Sequence, residues 1–300
     1  MADITKSLVD SFIPTVVAAQ GLGTLKERRG ISRFINTDFS EDLRSFGESV
    51  KVPFYGDLGT ADDKAAGSDY TGTAPSDSDV TITLDKHKYK KVFIEDVARA
   101  EARPDIMQGY VNEAIFSVLK QVDVDLLTLG TSLSNTQAET SNHYDDIVTA
   151  KTTLIENNAP VDGEFIYAIS PTKYADLLKD DDIARELNFG AGVAESGNLR
   201  QVSGVGIFPT QLIQTSGSPE LKYNILMHRD ALAMAVRPLP TDGNGMGLRQ
   251  GVYNDPESGL SLRLSLGYDS AKGAMFVNAE MLYGVKILRD ALAVAVTEAV

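Results

Sequence analysis

The sequence reads as an α+β chain, and three patterns carry that reading. Over residues 104–129, Met107, Val111, Ile115, Val118, Val122, Leu126 and Leu129 recur at steps of four and three, which lines one face of a single helix. Val50, Val52 and Phe54, and later Val80, Ile82 and Leu84, alternate with their neighbours as strands do. Leu260, Leu262, Leu264 and Leu266 alternate with Ser261, Arg263 and Ser265 in the clearest half-buried strand of the chain. That strand lies in a stretch that is mostly strands and turns from Gly197 onward.

The bulk composition bounds what such a chain can do. With 300 residues and 43% hydrophobic content it can bury a substantial core, and its length favours two domains. Cysteine is absent, which removes disulfides, thiolate metal sites and cysteine nucleophiles and fits a reducing compartment. No apolar run approaches a membrane span. Asp10 and Pro14 interrupt what would be a signal-peptide core, so the expectation is an intracellular, soluble protein. A formal net charge of −14 repels nucleic-acid backbones and argues against tight DNA or RNA binding.

In chain order, residues 1–30 pair short apolar clusters (Leu8, Phe12, Val16 and Val9, Ile13, Val17) with Pro14, which kinks any helix through them. A basic knot follows at Lys26, Arg28, Arg29 and Arg33. The segment reads as a terminal arm whose apolar residues need a surface, on this chain or on a neighbour. Phe12, Ile13, Arg28 and Arg29 are its candidate contacts with another subunit. Between the first two strands, residues 56–79 are rich in Gly, Ala, Ser, Thr and Asp without an apolar period, as in a functional or disordered loop. A two-stranded hairpin is marginal alone in water, and nothing local is fit to cover it. The expectation is that a second copy of the protein covers it. The return strand carries Lys86, His87, Lys88, Lys90 and Lys91. These either protect a sheet edge or form a basic strip that docks on an acidic patch of an adjacent subunit, setting register more than affinity.

The long helix starts well, with Pro104 in its first turn and Asp105 near the positive end of the dipole. Gly130 suits a left-handed stop, and the helix would run roughly 40 Å. Residues 143–158 read as a second helix with Ile147, Leu154 and Ile155 on one side, stopped by Pro160, with a turn at Gly163. Phe165–Ile169 is an apolar run typical of a buried strand. Ser170 as N-cap and Pro171 open a third helix with Tyr174, Leu177 and Leu178 facing inward. Asp180, Asp181 and Asp182 read as a solvated run that ends it. One strand precedes Pro209, and two more flank His228, Arg229 and Asp230. Met275–Met281 pairs with the leucine strand through a turn at residues 268–273. Val285–Leu288 and Leu292–Val296 close the chain as two short strands, and no internal repeat is present.

Catalytic patterns are mostly missing. The three histidines are far apart and lack metal-ligand spacing, so each reads as a surface or satisfied core residue. Gly204 and Gly206, and Gly243, Gly245 and Gly247, are fragments of phosphate loops without the flanking strand and helix. There is no GxSxG elbow. Asp123 and Asp125 point to different faces of the long helix and make no carboxylate pair. The Asp-rich loop lacks the EF-hand order. The expectation is no enzyme, no metal and no cofactor.

The order of elements does resemble a family. FGESVKVPFYGDL, then VTITLDKHKYKKVFIEDV, then the long helix, resembles the extended-loop and spine-helix region of tailed-bacteriophage major capsid proteins. IVTAKTTLIENNAPVDGEFIYAISPTKYADLLKD resembles the next segment of that family, and GNLRQVSGVGIFPTQLI, LMHRDALAMAV and LYGVKILRDALAVAV continue the match nearly to the C-terminus. The same fold is shared with herpesvirus capsid floors and encapsulin shells. The resemblance implies an N-terminal arm (1–40), an extended β-hairpin loop (41–97) and a peripheral domain with a long spine helix (98–140). It further implies an axial domain with a central sheet (141–247), return strands of the peripheral domain (248–282) and C-terminal strands back in the axial domain (283–300).

That family implies a function. The chain would be the major capsid protein of an icosahedral phage head, assembling as hexamers and pentamers around double-stranded DNA that it does not bind sequence-specifically. It would be located in the virion and assembled in the host bacterial cytoplasm. With no long region ahead of the arm, a separate scaffolding protein is expected, along with a portal, and no membrane is involved. Lys64 with Asn254 or Asn278 would be candidates for the autocatalytic Lys–Asn cross-linking of some relatives. The alternative is an encapsulin-like nanocompartment shell holding protein cargo, which would need a cargo-peptide groove. A metabolic enzyme with an unrecognised site is the third reading.

Overall fold

The computed structural model describes residues 30–40, 47–55, 76–96, 104–180, 199–241, 248–254 and 260–299, with scattered positions between 61 and 74; helix side chains are described from residue 109. In chain order the elements are β1 (Ser49–Phe54), β2 (Ser78–Thr83), β3 (Lys86–Glu95), α1 (Pro104–Thr128), β4 (Thr136–Ala138), α2 (His143–Glu156), β5 (Phe165–Ile169) and α3 (Pro171–Lys179). They continue with β6 (Gln201–Val202), β7 (Val205–Pro209), β8 (Thr215–Ser216), β9 (Leu221–His228), β10 (Leu232–Arg237), β11 (Arg249–Asn254), β12 (Ser261–Asp269), β13 (Ala274–Ile287) and β14 (Ala293–Ala299). Among the described residues no helix is long and apolar enough to cross a membrane.

Two sheets organise the chain. The first joins β10, β13, β12 and β11, with β3 also on β13. Helix α1 lies across it, and Val111, Ile115, Val118, Val122 and Leu126 are buried as their spacing requires. The second runs β4-β14-β9-β5-β7-β6, with β8 on β9. Its centre, β5, is parallel to β7 and antiparallel to β9, and Phe165, Tyr167, Ala168 and Ile169 are all buried. Helices α2 and α3 cover this sheet through Ile147, Ala150, Leu154 and Leu177. Asn142 caps α2 by accepting from the Asp145 amide, and Ser170 caps α3 by accepting from the Lys173 amide at 3.0 Å.

Several local expectations change on contact with tertiary structure. Gly130 does not stop α1 in a left-handed conformation. The chain tightens there into a 3-10 turn over Leu129–Ser132, and a Cβ at Gly130 would lie 2.4 Å from Ile225 Cδ1, so close approach to the second sheet selects glycine. Ile155 and Leu178 face solvent, because only the Ile147–Leu154 and Leu177 stripes meet the sheet. Asp180 is not a free charge: its Oδ2 accepts from the amides of His143 and Tyr144, at the start of α2. Asp181 and Asp182 lie outside the described residues.

The leucine strand is buried on both faces rather than one. Ser261 and Ser265 are as hidden as Leu262 and Leu264, because the segment after β10 crosses that face and Arg263 Nη1 donates to the Pro240 carbonyl at 2.7 Å. The expected short strand Val285–Leu288 is the far end of β13, which runs unbroken across residues 282 and 283. Leu232–Arg237 leaves the second sheet and pairs with β13, so the first sheet takes a strand from the 141–247 segment. Likewise β3 does not extend the hairpin; it runs ten residues along β13, from Lys86↔Tyr283 to Glu95↔Ala274.

Candidate assembly surfaces

The β1–β2 hairpin exposes one face. Its six-residue register, Ser49↔Thr83 to Phe54↔Ser78, leaves Lys51, Pro53, Tyr55 and Asp79 outward. Its apolar face is covered by this chain itself, contrary to the sequence expectation. Val52, Ile82 and Leu84 are buried against Ala233, Ala235 and Leu288, with Phe39, Val50, Phe54, Val80 and Leu282 around them. The partners come from about 150 to 240 residues further along the sequence, which no local pattern reveals. The seat is tight: a Cβ on Gly284 would lie 2.0 Å from the Thr83 carbonyl oxygen, so only glycine lets the hairpin root approach β13.

The root of the N-terminal segment is fixed just as closely. Residues 30–40 run between α1 and β10: the Met234 amide donates to the Asn36 carbonyl, and Asn36 Nδ2 donates to Asp230 Oδ1 at 2.9 Å. Asp123 of α1 accepts from the Ser32 amide at 3.3 Å, and Gly30 passes so near that a Cβ would fall 1.6 Å from Oδ2. Burial pushes the Asp123 carboxyl up to about 6, although the Ser32 and Ile31 amides oppose the rise. Phe12, Ile13, Arg28 and Arg29 lie outside the described residues.

The basic strip of β3 is divided. Lys86 and Lys88 turn toward α1, with Nζ 3.4 and 4.0 Å from Asp125 Oδ2, which also accepts from the Tyr283 hydroxyl. His87 Nε2 is 3.2 Å from Glu280 Oε2, which also receives Arg263 Nη2 at 2.7 Å. Lys90 and Lys91 are exposed. Three of the five candidate contacts therefore have ionic partners in their own chain, and Lys91 lies over the Phe93 and Phe276 rings. Of the cross-linking candidates, Lys64 lies over the Tyr70 ring, Asn254 is exposed, and Asn278 Nδ2 donates to Glu280.

Two buried ionic centres escaped the sequence, because their members are distant in the chain. Lys173, fully buried, donates to Glu139 Oε1 at 2.8 Å and Asp146 Oδ2 at 3.0 Å, with His143 Nδ1 at 2.9 Å. Glu139, His143 and Asp146 have the geometry of metal ligands, but the lysine ammonium stands where a cation would sit. Beside it, Glu298 accepts from Ser170, Thr172, Asn224 and Lys222. Burial alone would raise this carboxyl; the four donors outweigh it and bring it down to about 2. Together they tie the last strand to α3.

A second metal-like group, Asp162, Glu164 and His228, is also satisfied. His228 Nδ1 accepts from the Asp230 amide at 3.2 Å, so Nε2 carries the proton and donates to Asp162 at 3.1 Å. Gly204 serves a β-turn rather than a phosphate: with Ser203 (φ 49°) and Gly204 (φ 76°), it closes the two-residue hairpin between β6 and β7. The glycines of residues 243–247 lie outside the described residues.

No family profile matches the sequence, and no curated protein does. Solved structures do match over nearly the whole chain. A chain from Mycobacterium phage Che8 is 15% identical with a TM-score of 0.66, covering 90% of this chain and 91% of its own. The capsid structure of cyanophage P-SCSP1u gives 16% identity and a TM-score of 0.61, with 87% and 85% covered. A virus-like particle from Pyrococcus furiosus gives 13% and 0.55, with 94% and 98% covered. At these identities the likeness is one of fold, and it is the fold that the sequence resemblance implies.

Proposed function

We propose that this chain, which has the fold of those capsid and particle proteins, is a structural shell subunit: the major capsid protein of an icosahedral phage head. The observation that carries the proposal is the end-to-end correspondence with phage head structures, both chains being covered almost completely. A match over one domain would support only a shared module; here 85–90% of the chain is covered. Repeated heterologous contacts between such chains close into rings and shells. Each contact can be modest because many act together.

On this reading, residues 1–40 are the N-terminal arm, 41–97 carry the extended loop, α1 is the spine helix of a peripheral domain, and the second sheet is the core of an axial domain. Hexamers and pentamers would enclose double-stranded DNA, with a separate scaffold and a portal, during assembly in the host cytoplasm. The arm residues Phe12, Ile13, Arg28 and Arg29 and the exposed part of the β3 strip would meet neighbouring subunits. The charge of −14 favours a wall along which packaged DNA slides without adhering. The capsid structures among its neighbours support a structural role. Negative-stain electron microscopy of the purified chain, co-expressed with a candidate scaffold, tests the proposal. Uniform hollow shells tens of nanometres across are expected, and discrete small oligomers alone would overturn it.

The Pyrococcus furiosus particle favours a second reading, a nanocompartment shell around protein cargo. The contents of the purified particles separate the two: nuclease-protected DNA supports a phage head, and co-purifying protein without DNA supports a compartment.

A further inference from the structure

Strand β7 carries a glycine that its neighbours do not demand. Gly206 sits on the rung Ile166–Gly206–Gln201, which crosses β5, β7 and β6 in unbroken register, so it marks no bulge. The turn that closes β6 on β7 uses Ser203 and Gly204 and leaves Gly206 out. A Cβ at Gly206 would lie 3.5 Å from the Phe165 carbonyl oxygen and 3.9 Å from Ile166 Cγ1, which are ordinary contact distances, and its φ is not in the left-handed region. Close packing selects glycine at Gly130 and Gly284, but not here. A glycine inside a strand with none of these reasons marks a place where a ligand approaches the backbone. Two residues along the same face, Phe208 receives the Phe34 ring edge to face at 5.6 Å. Beside Gly206, a cavity of about 340 Å³ remains.

The cavity is lined for an anion. It lies between the root of the N-terminal segment, at Arg33 and Phe34, and the start of β5, with Gln201 and Arg229 also lining it. Its lining holds two arginines against one acid, Glu164, in a chain whose net charge is −14. The Arg33 guanidinium lies over the Phe34 ring at 4.3 Å. Stacking occupies the face of a guanidinium and hydrogen bonding its edge, so the two do not compete. Arg229 Nη1 is 3.9 Å from Glu164 Oε2 and Nη2 is 4.0 Å from Asp38 Oδ1, too far for either carboxylate to accept a hydrogen bond. We propose that this cavity binds a small phosphate- or carboxylate-bearing molecule, its anionic group held between Arg33 and Arg229 and its body lying over Gly206. The volume is at the small end of the range for ligand cavities, roughly 300–1,000 Å³. A cation is the poorer occupant, because it would meet both guanidinium groups. A bound anion would join residues 33–34 to β5 and β7. The site does not depend on assembly, and the shell reading stands or falls without it.

The test is thermal unfolding of the full-length, unassembled chain at constant ionic strength. Inorganic phosphate, adenosine monophosphate and succinate are titrated separately, with sodium chloride as the control. Expected is a midpoint that rises with the concentration of at least one probe and stays level in chloride. A stronger response to adenosine monophosphate than to phosphate assigns the site to phosphorylated molecules with an organic body; a response to succinate alone assigns it to carboxylates. The apparent Kd should weaken about tenfold or more in Arg33→Gln and in Arg229→Gln, and tighten in Glu164→Gln. Gly206→Val fills the cavity and should abolish the response, while the midpoint without ligand is kept or raised. Should Gly206→Val not fold, the arginine variants decide alone. No response beyond that of chloride overturns the site. So does a response that survives in both arginine variants, which is screening without a site, or one that weakens in Glu164→Gln, which is the behaviour of a cation.

Discussion

Replacing Asp123 with Asn tests how the root of the N-terminal segment is held. The wild-type carboxyl is buried, stands at about 6 rather than 3.8, and accepts from the Ser32 amide. An acid whose folded pKa is raised binds more protons folded than unfolded between those two values. Its contribution to stability is therefore most favourable below about pH 4, declines as pH rises toward 6, and is constant above that. The difference of about two units corresponds to roughly 3 kcal/mol between the two plateaus. Between pH 4.5 and 7.5 the portion traversed is about 2 kcal/mol. Asparagine keeps an acceptor for the Ser32 amide and removes the charge. Urea unfolding of the unassembled chain at both pH values, for wild type and Asp123→Asn, isolates the effect because every other titrating group cancels in the difference. Asp123→Asn should gain on wild type by about 2 kcal/mol in going from pH 4.5 to 7.5. A difference that does not move with pH would refute the burial of this charge against the segment root.

Three further perturbations follow from the same geometry. Glu298→Gln removes a carboxylate held at about 2 by four donors. A depressed acid stabilises above its ordinary pKa and loses that contribution as pH falls toward 2, so the variant should be weaker than wild type by about 2–3 kcal/mol at pH 7 and by less than about 1 kcal/mol at pH 2.5, by urea midpoint. Lys173→Met strands Glu139 and Asp146 without their cation and should cost about 3–5 kcal/mol; adding Glu139→Gln and Asp146→Asn should restore much of it. Gly284→Ala forces the hairpin root off β13, costing about 1–3 kcal/mol and exposing residues 49–83 to limited proteolysis before the rest of the chain.

What the sequence disclosed was local. The spacing of α1, the N-cap Ser170, and the alternation of β1, β2 and β12 all report neighbours within one element, and the sequence carries that information in order. The missing parts are contacts between separate elements, from 27 residues apart upward. Lys173 reads as one lysine of an ordinary helix, and nothing near it announces Glu139 and Asp146. Ala233 and Ala235 carry no signal that they floor the hairpin. Gly284 is one of 25 glycines until Thr83 is placed against it. The basic strip shows the reverse failure. Its residues are adjacent in sequence, and the pleat sends them to two faces with different partners.

The covered hairpin changes the physics of assembly on the shell reading. An apolar loop with no partner in its own chain would make subunits adhere wherever they met, and a shell built that way would trap its errors. Here Val52, Ile82 and Leu84 are already buried in the subunit, so the hairpin offers Lys51, Asp79 and the acidic loop to its neighbours. Exposed charge pairs contribute at most about 1 kcal/mol each and weaken with salt. Contacts of that size form and break singly, and hold only when the ring of neighbours is complete. Subunit association measured from low to high salt distinguishes the two regimes. Polar docking predicts a threshold concentration that rises steeply with ionic strength, whereas burial of exposed apolar surface predicts one that stays level or falls.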